Sequence, residues 1–115
     1  MSYGITVSMA MELSEKLEEL DVSVSVYSCH TIKPLDINGI IEILSSHEKV
    51  VILEEHVPHG GLGSRIKEIA FDNVSNCEVR AFSLKDEFIH CYGDHQELLS
   101  AHGFSIEEIM KNLDN

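Results

Sequence analysis

Basic residues are scarce in this chain. Its 115 residues carry 8 Lys and Arg against 20 Asp and Glu, a formal charge of −12. No basic patch can be built on that balance, which argues against nucleic-acid binding and against attraction to anionic membrane surfaces. The same acidity works against an anionic ligand, unless backbone N–H groups hold it locally. Cysteine is sparse too: Cys29, Cys77 and Cys91 are an odd set with no C-x-x-C spacing. Cys29 and Cys77 lie in or beside apolar runs and read as small, reduced core residues. No apolar run approaches the length of a membrane span. A basic start followed by an apolar block, the mark of a secretory signal, is missing. The expected location is cytoplasmic, with no membrane partner. Repeats, low-complexity segments and linkers are lacking as well.

What is present is apolar patterning. Hydrophobic residues make up 43% of the chain, enough to build a core in one domain. Met9, Leu13, Leu17 and Leu20 recur at helical spacing, with Glu12, Glu15, Lys16, Glu18 and Glu19 on the other face. Val22, Val24 and Val26 alternate with Ser23 and Ser25, which predicts a strand. Pro34 ends it in a turn, and Asp36 can cap a helix carrying Ile37, Ile40, Ile41 and Leu44. Lys49 to Leu53, KVVIL, reads as a parallel strand covered on both faces. A glycine loop and a helix with Leu62, Ile66, Ile69 and Ala70 follow, then a strand from Cys77 to Leu84. Two short helices close the chain. The first, Gln96 to Ala101, stops at Gly103; the second starts at Ser105, with Glu108 completing a capping box. Alternating helices and strands predict an α/β fold, a three-layer α/β/α arrangement around a mostly parallel sheet.

One element is missing from that pattern. A strand should feed the first helix through a right-handed crossover, but only Met1, Ser2, Tyr3 and Gly4 precede it. Tyr3-Gly4 resembles a strand end and the turn after it, so the first strand is expected to be truncated.

The stretch ILEEHVPHGGLGSRI, Ile52 to Ile66, holds the candidate site. Glu54, Glu55, His56 and His59 offer metal-ligand atoms. However, the histidines are three apart with Pro58 between them, unlike the i, i+4 pair of a zinc helix. Strand, glycine loop and helix N-terminus also form a geometry that can hold an anion. Gly60, Gly61 and Gly63 would allow close approach, and Ser64 and Arg65 could donate. The loop is nevertheless neither a dinucleotide fingerprint nor a P-loop, and Glu54 and Glu55 would repel an anion. On the structural reading, the glycines make a sharp turn and Glu55 and His56 bond loop N–H groups or a partner domain, at the sheet end where contacts gather. Elsewhere, Cys29 and His30 are adjacent on a strand and point apart, which argues against a nucleophile–base pair. Lys33 reads as a turn residue, and Lys85, Asp86 and Glu87 as a solvated loop. His90, Cys91, His95 and His102 are scattered, although His90 and Cys91 adjoin Tyr92-Gly93 in a candidate interface loop.

Five motifs in order carry a resemblance. They are T-I-K-P-L-D at Thr31–Asp36, E-E-H at Glu54–His56, G-G-L-G-S at Gly60–Ser64, K-D-E-F at Lys85–Phe88 and G-D-x-x-E-L-L at Gly93–Leu99. Together they resemble the C-terminal domain of transketolases and of the related deoxyxylulose-phosphate synthases, from Tyr3 to about Leu113. The resemblance implies a single domain over 1–115, expected as part of a larger enzyme. That parent would use thiamine diphosphate and a divalent metal, Mg, to move two-carbon ketol units between sugar phosphates. The cofactor would lie between two other domains. Neither the G-D-G motif with its asparagine nor the segment with the activating glutamate occurs here, so this chain alone is expected to be inactive and to hold no catalytic, cofactor-binding or metal residue. Its implied partners are the thiamine-binding catalytic domains or subunit, in a homo-oligomer such as a dimer. Assembly or regulation is the role that remains. A stand-alone nucleotide- or phosphate-binding module using Gly60 to Ser64 is the alternative, and a metal hydrolase at His56 and His59 a third reading.

Overall fold

A computed structural model describes residues 1–113. Five helices and two strands run in the order α1 (Thr6–Glu18), α2 (Ile37–Ser46), β1 (Lys49–Leu53), α3 (Leu62–Asp72), β2 (Glu78–Phe82), α4 (His95–Ala101) and α5 (Ile106–Leu113). β1 and β2 pair in parallel, with Val51 opposite Arg80 and Leu53 opposite Phe82. The three-layer α/β/α expectation holds. The alternation of side chains along β1 sends Val50 and Ile52 to one face, where Ile40, Leu44, Ile66 and Ile69 of α2 and α3 bury them. Val51 and Leu53 face the other side, against Ala10 and Leu13 of α1, Leu99 of α4, and Ile109 and Leu113 of α5. A strand covered on both faces must be apolar throughout, which is why KVVIL shows no alternation.

Helix ends follow local chemistry. Asp36 Oδ1 accepts the Gly39 N–H at 3.0 Å and starts α2. Gly103 ends α4 at a φ of +72°. Ser105 Oγ accepts the Glu108 N–H at 3.3 Å at the start of α5. Another box, complete in both directions, sits at α4: Asp94 accepts the Glu97 N–H, and the Glu97 carboxylate accepts the Asp94 N–H.

Several expectations need correction. Leu20 lies beyond the end of α1 and is 64% exposed rather than on its apolar face. Cys29 and Cys77 are half-buried at the core's margin, not within it. The Val22–Val26 strand does not form as a paired element. Among the described residues, Ser23 to Val26 make no backbone hydrogen bond to another segment. The reason lies at the N-terminus. Ser2 bridges Leu53 on one side and Ser28 on the other, both in parallel, so Met1–Tyr3 enters the sheet as a stub. Ser2 donates to the Tyr27 carbonyl at 3.1 Å, Cys29 to the Ser2 carbonyl at 2.8 Å, and Leu53 to the Met1 carbonyl at 2.9 Å. Pairing reaches Tyr27 to Cys29 because the stub reaches them. Upstream, the valines face a gap.

Candidate functional site

The carboxyl ends of β1 and β2 feed the loops that matter. Period-two alternation carries Glu54 to the same side as Ile52, toward α3. Its side chain is therefore drawn inward and is only 1% exposed. A buried carboxylate needs hydrogen-bond donors. Glu54 Oε2 accepts the Leu62 N–H at 2.6 Å, and Oε1 accepts the Gly63 N–H at 3.0 Å. These are first-turn N–H groups of α3, which lack a partner inside the helix. Gly61 at the N-cap has no side chain to satisfy them, so Glu54 caps the helix from the strand before it.

The three glycines serve this arrangement in different ways. Gly60 takes a φ of +78°, which turns the chain. At Gly61 a Cβ would run into the Glu54 carboxylate. At Gly63 it would lie 2.6 Å from Ala81 Cβ and 2.8 Å from Glu54 Oε1. The loop thus closes tightly around an anion, and that anion is the chain's own Glu54. The residue that bonds the loop N–H groups is Glu54, in place of the expected Glu55 and His56.

The neighbouring residues are committed elsewhere. Ser64 Oγ donates to the Pro58 carbonyl, and the Arg65 guanidinium bonds Glu68. His56 is exposed, with Nδ1 2.7 Å from the Val57 carbonyl. His59 is exposed. Glu55 turns the other way from Glu54, and its Oε1 meets His95 Nε2 at 2.9 Å. Tyr3 stands near both acids, and its hydroxyl titrates above its ordinary value, through burial first and then the Glu54 and Glu55 charges. Cys29 and His30 do not pair: the His30 ring bonds Thr31 Oγ1 at 2.8 Å. Lys85 is held by its N–H to His102 Nδ1 at 3.1 Å.

These bonds tie two loops together. The Leu84 N–H donates to the His56 carbonyl at 2.9 Å, where the second loop leaves β2. His95 meets Glu55 where that loop enters α4. Between those two anchors, Phe88 is 92% exposed and Tyr92 is fully exposed. His90 is exposed between them, and so is Cys91 beside Tyr92. Sequence reasoning singled out the Tyr92 neighbourhood, but it read Glu54 as a metal ligand or a repelling charge, His95 as scattered and Phe88 only as part of a motif. The parity of Glu54 with Ile52 along the strand was the signal for its inward turn, and D-x-x-E at Asp94–Glu97 the signal for the α4 cap.

A diphosphate cofactor with a divalent metal needs converging carboxylates and free N–H donors. Among the described residues no group of three or more His, Cys, Asp and Glu side chains is placed to hold a metal ion. The glycine loop's donors face Glu54. The residues present here do not fit thiamine diphosphate. No helix among the described residues is long and apolar enough to cross a membrane.

Comparison with known proteins agrees with this geometry. The chain is 33% identical over 111 residues to the 1-deoxy-D-xylulose-5-phosphate synthase of Geobacillus sp. (strain WCH70), covering 96% of this chain and 18% of that protein. It is 32% identical over 114 residues to the same-named enzyme of Bacillus licheniformis, covering 98% of this chain and 18% of that one. The chain therefore spans under a fifth of the length of these relatives. Among solved structures it superposes on "Split gene transketolase, inactive beta4 tetramer" with a TM-score of 0.85 and 26% identity, over 96% of this chain and 35% of that one. The family model "Transketolase, C-terminal domain" matches residues 1–109, and the chain belongs to that family.

Proposed function

We propose that this domain assembles a transketolase-like, thiamine diphosphate-dependent enzyme by docking the carboxyl end of its sheet on the catalytic domains. The observation that carries this reading is the pair of tied loops. Glu55–His95 and Leu84–His56 hold a loop whose aromatic residues, Phe88 and Tyr92, are left in water. Exposed aromatics on a held loop are what interface anchors look like before association. The reaction of the parent, two-carbon ketol transfer between sugar phosphates, belongs to the other domains. The assembly is a homo-oligomer in the cytoplasm.

The anion-binding alternative finds less support. Its donors at Leu62 and Gly63 are taken by Glu54, and Arg65 and Ser64 are paired within the loop.

The test is association. A deoxyxylulose-phosphate synthase lacking its own C-terminal domain would be mixed with this chain and sized by light scattering. Co-elution is expected for the unaltered chain, and separate elution for Phe88→Glu with Tyr92→Glu. Equal co-elution of both would remove the loop from the interface.

A further inference from the structure

An asparagine–glycine pair opens α2. Asn38 and Gly39 are its second and third residues, and Asn38 is exposed. In such a pair the glycine nitrogen can attack the asparagine side-chain carbonyl, because glycine has no side chain to hinder ring closure. A bond forms between Gly39 N and Asn38 Cγ. The Cγ–Nδ2 bond breaks, and the amide nitrogen leaves as ammonia, carrying the proton lost from Gly39 N. Water then opens the cyclic succinimide at either carbonyl, giving aspartate or isoaspartate. The step needs no oxidant, reductant or cofactor.

The reactive pair is built into the cap. Asp36 Oδ1 accepts the Gly39 N–H at 3.0 Å. A Cβ at position 39 would lie 2.6 Å from Asp36 Oδ2 and 3.0 Å from Asp36 Cγ. In this geometry the cap leaves no room for a side chain there, so glycine must follow Asn38. The Asn38 side-chain amide is itself hydrogen-bonded to no group among the described residues.

The same cap also restrains the reaction. Attack requires Gly39 N and Asn38 Cγ to meet at about 3–3.5 Å in an aligned approach. That means rotating the main chain at Asn38 and freeing the Gly39 N–H. Asp36 holds that N–H, and the Ile40 N–H bonds the Asp36 carbonyl at 3.1 Å, closing the turn around Asn38. First-turn N–H groups have no partner inside the helix, so the cap governs how often this turn opens.

The two products differ in consequence. Aspartate would place a negative charge in a first turn that has none, where the helix dipole favours it. Isoaspartate would insert a methylene into the main chain, within the ring that the Ile40–Asp36 bond closes. It would break the first turn of a helix whose Ile40 and Leu44 bury Val50 and Ile52.

We propose that Asn38 is a deamidation site guarded by the Asp36 cap, so that the amide is lost only from chains whose first α2 turn has opened.

The test ages the full 115-residue chain in neutral buffer beside Asp36→Ala, Asp94→Ala and a free peptide spanning Leu35–Ile41. Digestion and mass spectrometry read the gain in mass at Asn38, and chromatography separates the aspartate and isoaspartate forms. The free peptide should react fastest, and the unaltered chain at least about tenfold more slowly. Asp36→Ala should react about fivefold faster than the unaltered chain, the factor expected for a lost cap. Asp94→Ala loses the cap of α4 instead and should keep the unaltered rate. The isoaspartate fraction should melt lower than fresh protein. A chain as fast as the peptide, or an Asp36→Ala rate equal to the unaltered one, would overturn the proposal. So would equal acceleration by Asp94→Ala, since unfolding of the whole domain would then control the reaction.

Discussion

Glu54 Oε1 lies 3.0 Å from the Gly63 N–H, and Gly63 can be nothing larger because Ala81 and that same carboxylate fill the space. Strand, glycine loop and helix form one self-capped unit. Replacing Glu54 should therefore act on stability. Glu54→Ala leaves two buried N–H groups unpaired and should cost about 2–4 kcal/mol. Glu54→Gln keeps the shape but offers one acceptor oxygen instead of two, and should fall between Ala and wild type. Urea unfolding checks the order.

The glycines should separate by mechanism. Gly60→Ala meets no atom within 4 Å but keeps a φ of +78°, a backbone cost of about 1 kcal/mol. Gly63→Ala forces Ala81 or Glu54 to move and should cost about 1–3 kcal/mol. Thermal melts of the two variants would rank them. Because Gly61 also packs on Glu54, a bulky residue there would disturb the turn itself and could not report on association.

Ser2 is fully buried, and its Oγ has no hydrogen-bond partner among the described residues. Ser2→Ala removes an unsatisfied hydroxyl and keeps the strand bonds, which are made by the backbone. It should raise stability by up to about 1 kcal/mol, read as a higher melting temperature.

The Met1 amine is held below its ordinary value of 8.0, mainly by burial, against a smaller opposing effect of Cys29. The unfolded chain therefore binds this proton more readily, and the group's penalty is complete below the folded pKa. It fades as pH rises through the window toward 8.0 and is gone above it. Acetylating the amine removes the titration. Melting curves from about pH 6 to about pH 9 should show the acetylated chain's advantage shrinking with rising pH. An advantage independent of pH would contradict the assignment.

Most of the architecture was legible because it rests on local patterns. Asp36 capping α2, Gly103 ending α4 and the doubly covered KVVIL strand are each set by neighbours in sequence. The Val22–Val26 segment was not, because a strand exists only with a partner, and among the described residues nothing pairs with Ser23 to Val26. The glycine loop was ambiguous for a related reason. An anion cradle and a self-capped turn share one sequence pattern, and only the inward turn of Glu54 distinguishes them. The Glu55–His95 tie joins residues forty apart in sequence, and no local pattern encodes it.

The most direct test of the account is catalytic. Deoxyxylulose-phosphate synthase activity would be followed in a synthase stripped of its C-terminal domain, as this chain is added. The account predicts no turnover from the chain alone and a saturable rise when both are present, lost with Phe88→Glu and Tyr92→Glu. Turnover by the chain alone, or a synthase indifferent to it at every concentration, would contradict the assembly role.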